Sequence, residues 1–267
     1  MNGTDAMTSA QTMLARALAV LLAVCAFAAC ATKPDPRDRL DAPAVLIAPY
    51  DPSREVVWAV LPPRNESGTS YARTDLIGDE LVAAVQQIRG VRCLPLNRSL
   101  EACRELGMPD GPRSSEDAVR LADALGVDAV VVASVTAYDP YDPPVLGLAL
   151  ALYAKPGALE RPTGVRLDPA ALTMAYTDFG RFDGVRFGGD PVTVVAEHLD
   201  ARDHGVLMAV RRYATGRSDP TSSLRWRVYT ASMDLYTRFA AHHTVGRLID
   251  EEWLRTARRA ATEAERP

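Results

Sequence analysis

The run Val127-Asp128-Ala129-Val130-Val131-Val132-Ala133-Ser134-Val135-Thr136 constrains this chain more than any other segment. Its β-branched residues favour extended backbone, and a strand apolar at nearly every position must be covered on both faces. It therefore belongs inside a sheet, with packed layers on either side. After Tyr138-Asp139-Pro140-Tyr141-Asp142-Pro143-Pro144, the segment Val145–Tyr153 puts large side chains at even numbers and smaller ones at odd numbers, the period of a strand. The two runs read as an antiparallel hairpin closed by a proline-rich turn.

Upstream, Val56-Val57-Trp58-Ala59-Val60-Leu61 is a short buried strand that stops at Pro62-Pro63. The loop 64–70 has turn chemistry. Leu76, Ile77, Leu81, Ala84, Val85 and Ile88 form an apolar stripe at helical spacing, with Gly90 as its stop. Val91–Leu96 reads as a second strand, and Pro95 places it at an edge or a strand end. Asn97-Arg98-Ser99 is read as the cap of a helix through Leu106. Ser114 ahead of Glu116 and Asp117 caps another, closed by Gly126. Leu172–Tyr176 is a further strand candidate, and 178–190 reads as a loop. Two helices close the chain, from about Ala201 to Thr215 and from about Ser223 to Ala260, with Gly246 as a break in the second. The fold class is α/β (α+β): a mixed sheet with an antiparallel hairpin, packed by helices, plus a carboxy-terminal helical extension.

The amino terminus sets the compartment. A basic Arg16 precedes the apolar run Ala17–Phe27, then Ala28-Ala29-Cys30. A charged region, an apolar region, small residues and a cysteine make up a secretion signal, and this order resembles the lipobox of bacterial lipoproteins. The resemblance implies a lipid on Cys30, a diacylglyceryl thioether with palmitate-type acylation, and a membrane tether rather than a span. Phe27 departs from the usual Leu. Three other readings compete: a transmembrane anchor, for which the run is short of about 20 residues; an ordinary cleaved signal; and a core helix, which the Pro/Asp/Arg-rich sequel disfavours. Ala31, rather than Asp, follows the anchor; by the enteric sorting rule that implies the outer membrane. The domain boundaries are then a signal peptide over 1–29, a tether over 30–54, an α/β domain over 55–177, and a loop with the helical extension over 178–267.

Residues Val57–Gly68 and Gly126–Val135 resemble the periplasmic α/β domains related to the TolB amino-terminal domain, a group that includes CsgG and LpoB. The shared pattern is an apolar strand ending in proline, an Asn-x-Ser/Gly loop, and later Gly-x-Asp-Ala before a Val-rich strand. It covers about ninety residues, and nothing from Val192 onward matches it. The resemblance implies a non-enzymatic, periplasm-facing envelope lipoprotein, with an oligomer among the states it allows, that assembles, regulates or assists secretion by contacts with envelope proteins. It carries over no catalytic residue and no cofactor.

Charge excludes one class. The net charge of −4 is unchanged by removing residues 1–29, which hold one Asp and one Arg, and gives no electrostatic case for nucleic acid. Within the fold, Tyr138, Asp139, Tyr141 and Asp142 are partner-contact candidates, because an aromatic, proline-rich hairpin tip suits a protein interface, while Asp-Pro also simply fixes tight bends. His198, Asp200, Asp203 and His204 are weak metal candidates; on a helix, His198 and His204 would lie on different faces. They support one rival function, a periplasmic metal-dependent hydrolase. A small-ligand carrier is another. His242-His243, adjacent on a helix, reads as packing or surface. Cys93 and Cys103 lack CxxC spacing and read as buried small hydrophobes, though a disulfide is permitted outside the cytoplasm. Val145–Tyr153 has the length of a membrane β-strand, but it is apolar on both faces and reads as buried.

Overall fold

The β-branched runs form strands as their period requires. The computed structural model describes residues 45–155, 157–159, 191–219 and 221–264. Cys30, the strand expected at Leu172–Tyr176 and the loop at 178–190 lie outside the described residues.

The strands are β1 (Leu46–Ile47), β2 (Val56–Val60), β3 (Arg64–Asn65), β4 (Ile88–Arg89), β5 (Val91–Leu94), β6 (Ala129–Asp139), β7 (Val145–Ala154) and β8 (Thr193–Asp200). The helices are α1 (Thr74–Gln86), α2 (Leu96–Glu105), α3 (Ser115–Leu125), α4 (His204–Ala214), α5 (Val228–Ala231) and α6 (Met233–Ala264). In the main sheet the order is β5-β2-β6-β7-β8, with β3 also beside β6; β1 and β4 make a small parallel pair. The β5-β2-β6 part is parallel, and the β6-β7-β8 part antiparallel. Thus the long Val-rich strand is central, and the sheet is mixed as expected.

Connection handedness explains the layers. The chain steps from β2 to β5 in one direction and from β5 back past β2 to β6 in the other. Right-handed crossovers then put α1 on one face and α2 with α3 on the opposite face. The core divides accordingly. On the α1 side, Trp58, Val60, Leu81, Leu148 and Leu150 pack with Tyr236, Phe239 and Leu248 of α6. On the other side, Ala59 and Leu61 pack with Cys103, Ala118 and Leu121. Cys93 lies in the first layer and Cys103 in the second, and both thiols are free. The sheet stands between them.

The apolar patch within the tether, which as a sequence could dock or form an edge strand, does so: β1 pairs with β4, Leu46 and Ala48 pack on the core and Tyr50 is buried. Three local readings differ from expectation. Helix α2 starts at Leu96, with Pro95 at the N-cap position and no side-chain cap, so the cap expected at Asn97–Ser99 falls inside the helix. The carboxy-terminal helix breaks at Ser232, which is extended, and runs unbroken through Gly246. Its packing on α1 and the sheet outweighs the propensity cost of about 1 kcal/mol for one glycine. Finally, β8 is an unexpected strand. Thr193, Val195, Glu197 and Leu199 share its inner face, and the carboxylate of Glu197 interrupts the apolar alternation that would have marked it.

The capping at Ser114 holds, with its hydroxyl accepting from the Asp117 amide, and Gly126 closes α3 in the left-handed region. Asp128, in the Gly-x-Asp-Ala motif, accepts from the Val57 amide at 2.8 Å and pairs with Arg54. That aspartate therefore pins the start of β2 to the start of β6. Among the described residues no helix is long and apolar enough to cross a membrane.

Candidate functional site

The β6–β7 hairpin sets one end of the molecule. Asp139 pairs with Val145, and Val145 pairs with Asp200 on β8, so one row across three strands brings the hairpin and the end of β8 together. Two groups that are 61 residues apart in the chain thus share one surface. At the turn, the Tyr141 amide donates to Asp139 Oδ1 at 3.1 Å. Tyr141 itself is 76% exposed. The turn organises the backbone and leaves the ring in water.

Close approach beneath the tip depends on Gly147. A Cβ there would strike the Thr136 hydroxyl and lie 2.8 Å from the Ala137 nitrogen, where the β6 register shifts. This irregularity accompanies the last residues of β6, from Ala137 to Asp139, as they approach the turn.

Tyr138 is half-buried against the core, its phenol pushed up by burial and by Asp234 at the start of α6, with Arg73 opposing. The loop before α1 reaches the same end, because β3 pairs with β6 at Ser134 and Val135. That loop is ordered from within: Asn65 Nδ2 donates to the Thr69 carbonyl at 2.7 Å, and the Ser67 hydroxyl donates to Asn65 Oδ1 at 2.6 Å. Tyr71 projects from it, 73% exposed. At the end of β8, Arg202 Nε donates to Asp200 Oδ1 at 2.9 Å and holds that carboxyl below its ordinary range. The surface therefore carries two exposed tyrosines among aspartates and arginines on a stiff sheet end.

The metal candidates part company. His198 lies on β8, not on a helix, paired with Gly147 and exposed. Asp203 is the N-cap of α4, accepting from the Val206 amide at 3.1 Å, and His204 begins that helix. Among the described residues no group of three or more His, Cys, Asp or Glu side chains is placed to hold a metal ion. His242 packs on Tyr213, with ring centroids 4.9 Å apart, and His243 faces Glu197 at 3.7 Å. Burial pushes the Glu197 carboxyl up, but His243 and Arg247 together hold it below its ordinary value. Asp200's membership in the tip was legible only once β8 was known to be a strand.

Fold and site together define a mixed α/β domain whose exposed aromatic-acidic hairpin tip is backed by a rigid sheet. The sequence matches no family model and no curated protein. Among solved structures, the chain is similar to lipoprotein GNA1162 from Neisseria meningitidis, at 20% identity over 39% of this chain and 74% of that one, TM-score 0.32. It is similar to the LpoB carboxy-terminal domain from Salmonella enterica, at 17% identity over 39% and 76%, TM-score 0.32. It is also similar to protein XCC0632 from Xanthomonas campestris, at 11% identity over 80% and 97%, TM-score 0.33. Likenesses of this degree assign neither a family nor an activity.

Proposed function

We propose that this chain is a non-enzymatic cell-envelope lipoprotein that holds a protein-contact surface away from the membrane. The observation that carries the reading is a separation of ends. The described chain starts at the end of the sheet where β2, β5 and β6 begin; β1 pairs there with β4, and the Val56 amide donates to the Gly90 carbonyl. The Tyr138–Asp142 tip lies where β6 finishes. Eleven residues of β6 set these ends about 35 Å apart. Helix α6 runs beside the sheet along the same axis, from Asp234 near Tyr138 to Trp253 beside Ile47.

In this reading Cys30 carries the lipid, and the chain before β1 limits the distance of that end from the anchor to at most about 50 Å. Tyr141 and Tyr71 supply rigid aromatic contact area at low entropy cost, and Asp139, Asp142 and Arg202 supply the polar rim. The partner is an envelope protein, and the outer membrane is the proposed site of anchorage. Affinity purification from detergent-extracted, crosslinked cells tests the proposal, with Cys30→Ala as control. A discrete set of envelope proteins, depleted in the control, is the expected result. No enriched protein, with both forms equally soluble, would refute it.

A further inference from the structure

The geometry points to a second membrane contact: the β1 face of this domain rests on the lipid bilayer to which Cys30 tethers it. The inference rests on the anchoring reading above and names a surface that the reading does not need. The first described residue, Val45, is fifteen residues downstream of Cys30, so the tether delivers this end of the domain toward the bilayer. At that place Val45 is 55% exposed and Ile47 48% exposed. The alternation of β1 turns Leu46 inward, where it packs on the core, and leaves its two neighbours outward. Arg89, exposed, stands directly opposite Ile47 in the parallel register. Trp253 of α6 closes the rim, its indole nitrogen donating to the Ile47 carbonyl at 2.9 Å.

Two aliphatics, a rim tryptophan and a long cation form the composition that suits the headgroup boundary: apolar groups enter, the indole sits at the interface, and the guanidinium extends to phosphate. Among the described residues the other large exposed apolar side chains lie elsewhere: Tyr71 and Tyr141 at the tip, Met208 on α4, Leu224 before α5, and Val194 on the face of β8 turned away from α6. Two half-exposed aliphatics give weak binding alone. Beside a covalent lipid they act at high effective concentration and fix orientation. A bilayer seated at β1 points the tip away from the membrane.

The test uses the chain isolated from cells and reconstituted in phosphatidylethanolamine–phosphatidylglycerol vesicles with or without brominated acyl chains. Its amino-terminal mass is read first. A Cys30 without lipid would refute the anchoring reading; that thiol would then be coupled to a maleimide phospholipid, so the β1 face is tested either way. The tryptophans are Trp58, Trp226 and Trp253. Trp226 precedes α5 and serves as the control away from β1. In a Trp58→Phe/Trp226→Phe background, brominated lipid should cause loss of Trp253 emission, and in Trp58→Phe/Trp253→Phe it should leave Trp226 unchanged. Val45→Asp/Ile47→Asp should abolish the loss while thermal unfolding is unaltered. Trp253 emission indifferent to bromine, equal loss at Trp226, or a concentration-dependent dimer that shields Ile47 would each overturn the inference.

Discussion

Tyr50, between β1 and β2, donates its hydroxyl to Glu252 of α6 at 2.8 Å, joining residues 202 positions apart. Glu252 is fully buried and also accepts from Thr193 on β8 and from Arg255 Nε and Nη2, each at 2.8 Å for the arginine. Arg255 in turn donates to the Leu159 carbonyl at 3.2 Å. One carboxylate therefore ties the amino-terminal segment, β8 and α6 together near the β1 end.

Removing the Tyr50 hydroxyl leaves that carboxylate one donor short. A buried hydrogen bond to a charged group contributes about 1.5–3 kcal/mol, so Tyr50→Phe should lower unfolding stability in urea by about 2 kcal/mol. Glu252→Ala, which removes the carboxylate that Tyr50, Thr193 and Arg255 share, should cost about 3 kcal/mol or more. Equal stability of Tyr50→Phe and the parent would show that the bond contributes nothing.

His242 gives the fold an acid-sensitive point. Burial chiefly, and then Arg217 and His243, lower its pKa from 6.5 to about 4. A depressed histidine is neutral when folded, while the unfolded chain takes up the proton first. Its contribution is therefore complete above about pH 6.5 and is lost as pH falls from 6.5 toward 4. The linked change is on the order of 3 kcal/mol. Urea midpoints across that window should fall less steeply in His242→Gln than in the parent; parallel slopes would contradict this.

The two cysteines should be silent in the native state. Burial pushes the Cys93 thiol up to about 12 and raises that of Cys103 as well. Thiolate is the reacting species, so Ellman's reagent should label neither until urea is added. Prompt labelling of the folded protein would refute the packing described for them.

Gly147 should tolerate no side chain. Alanine would press on the Thr136 hydroxyl and the Ala137 amide, with an expected loss of about 2 kcal/mol or more. The tip should lose its shape with it. Thermal unfolding of Gly147→Ala reads the effect, and an unchanged midpoint would mean the close approach is relaxed without cost.

Much of this was legible because it depended on local chemistry. The Val-rich strand, the hairpin, the Ser114 cap and the burial of Cys93 and Cys103 followed from periodicity, hydroxyl capping and the small apolar character of cysteine; that the two thiols stay unpaired did not, because it depends on the sheet lying between them. What escaped depended on partners far away in sequence. Glu197 hides β8 because a carboxylate on an inner face reads as a surface residue until Arg247 is seen 3.2 Å from it. Tyr50 reads as part of a tether until Glu252 is known to lie above it. Gly246 reads as a break until the packing around α6 is known. For the tip, Tyr141 and Asp139 were visible in sequence, whereas Asp200 and Tyr71 joined them only through β8 and β3.

The account turns on whether the tip touches protein. The direct measurement is in-cell photo-crosslinking with benzoylphenylalanine placed at Tyr141, compared with the same group at Met208, which is exposed on α4. The account predicts discrete crosslinked envelope proteins from position 141 that position 208 does not give. Identical patterns from both positions, or none from 141, would contradict it.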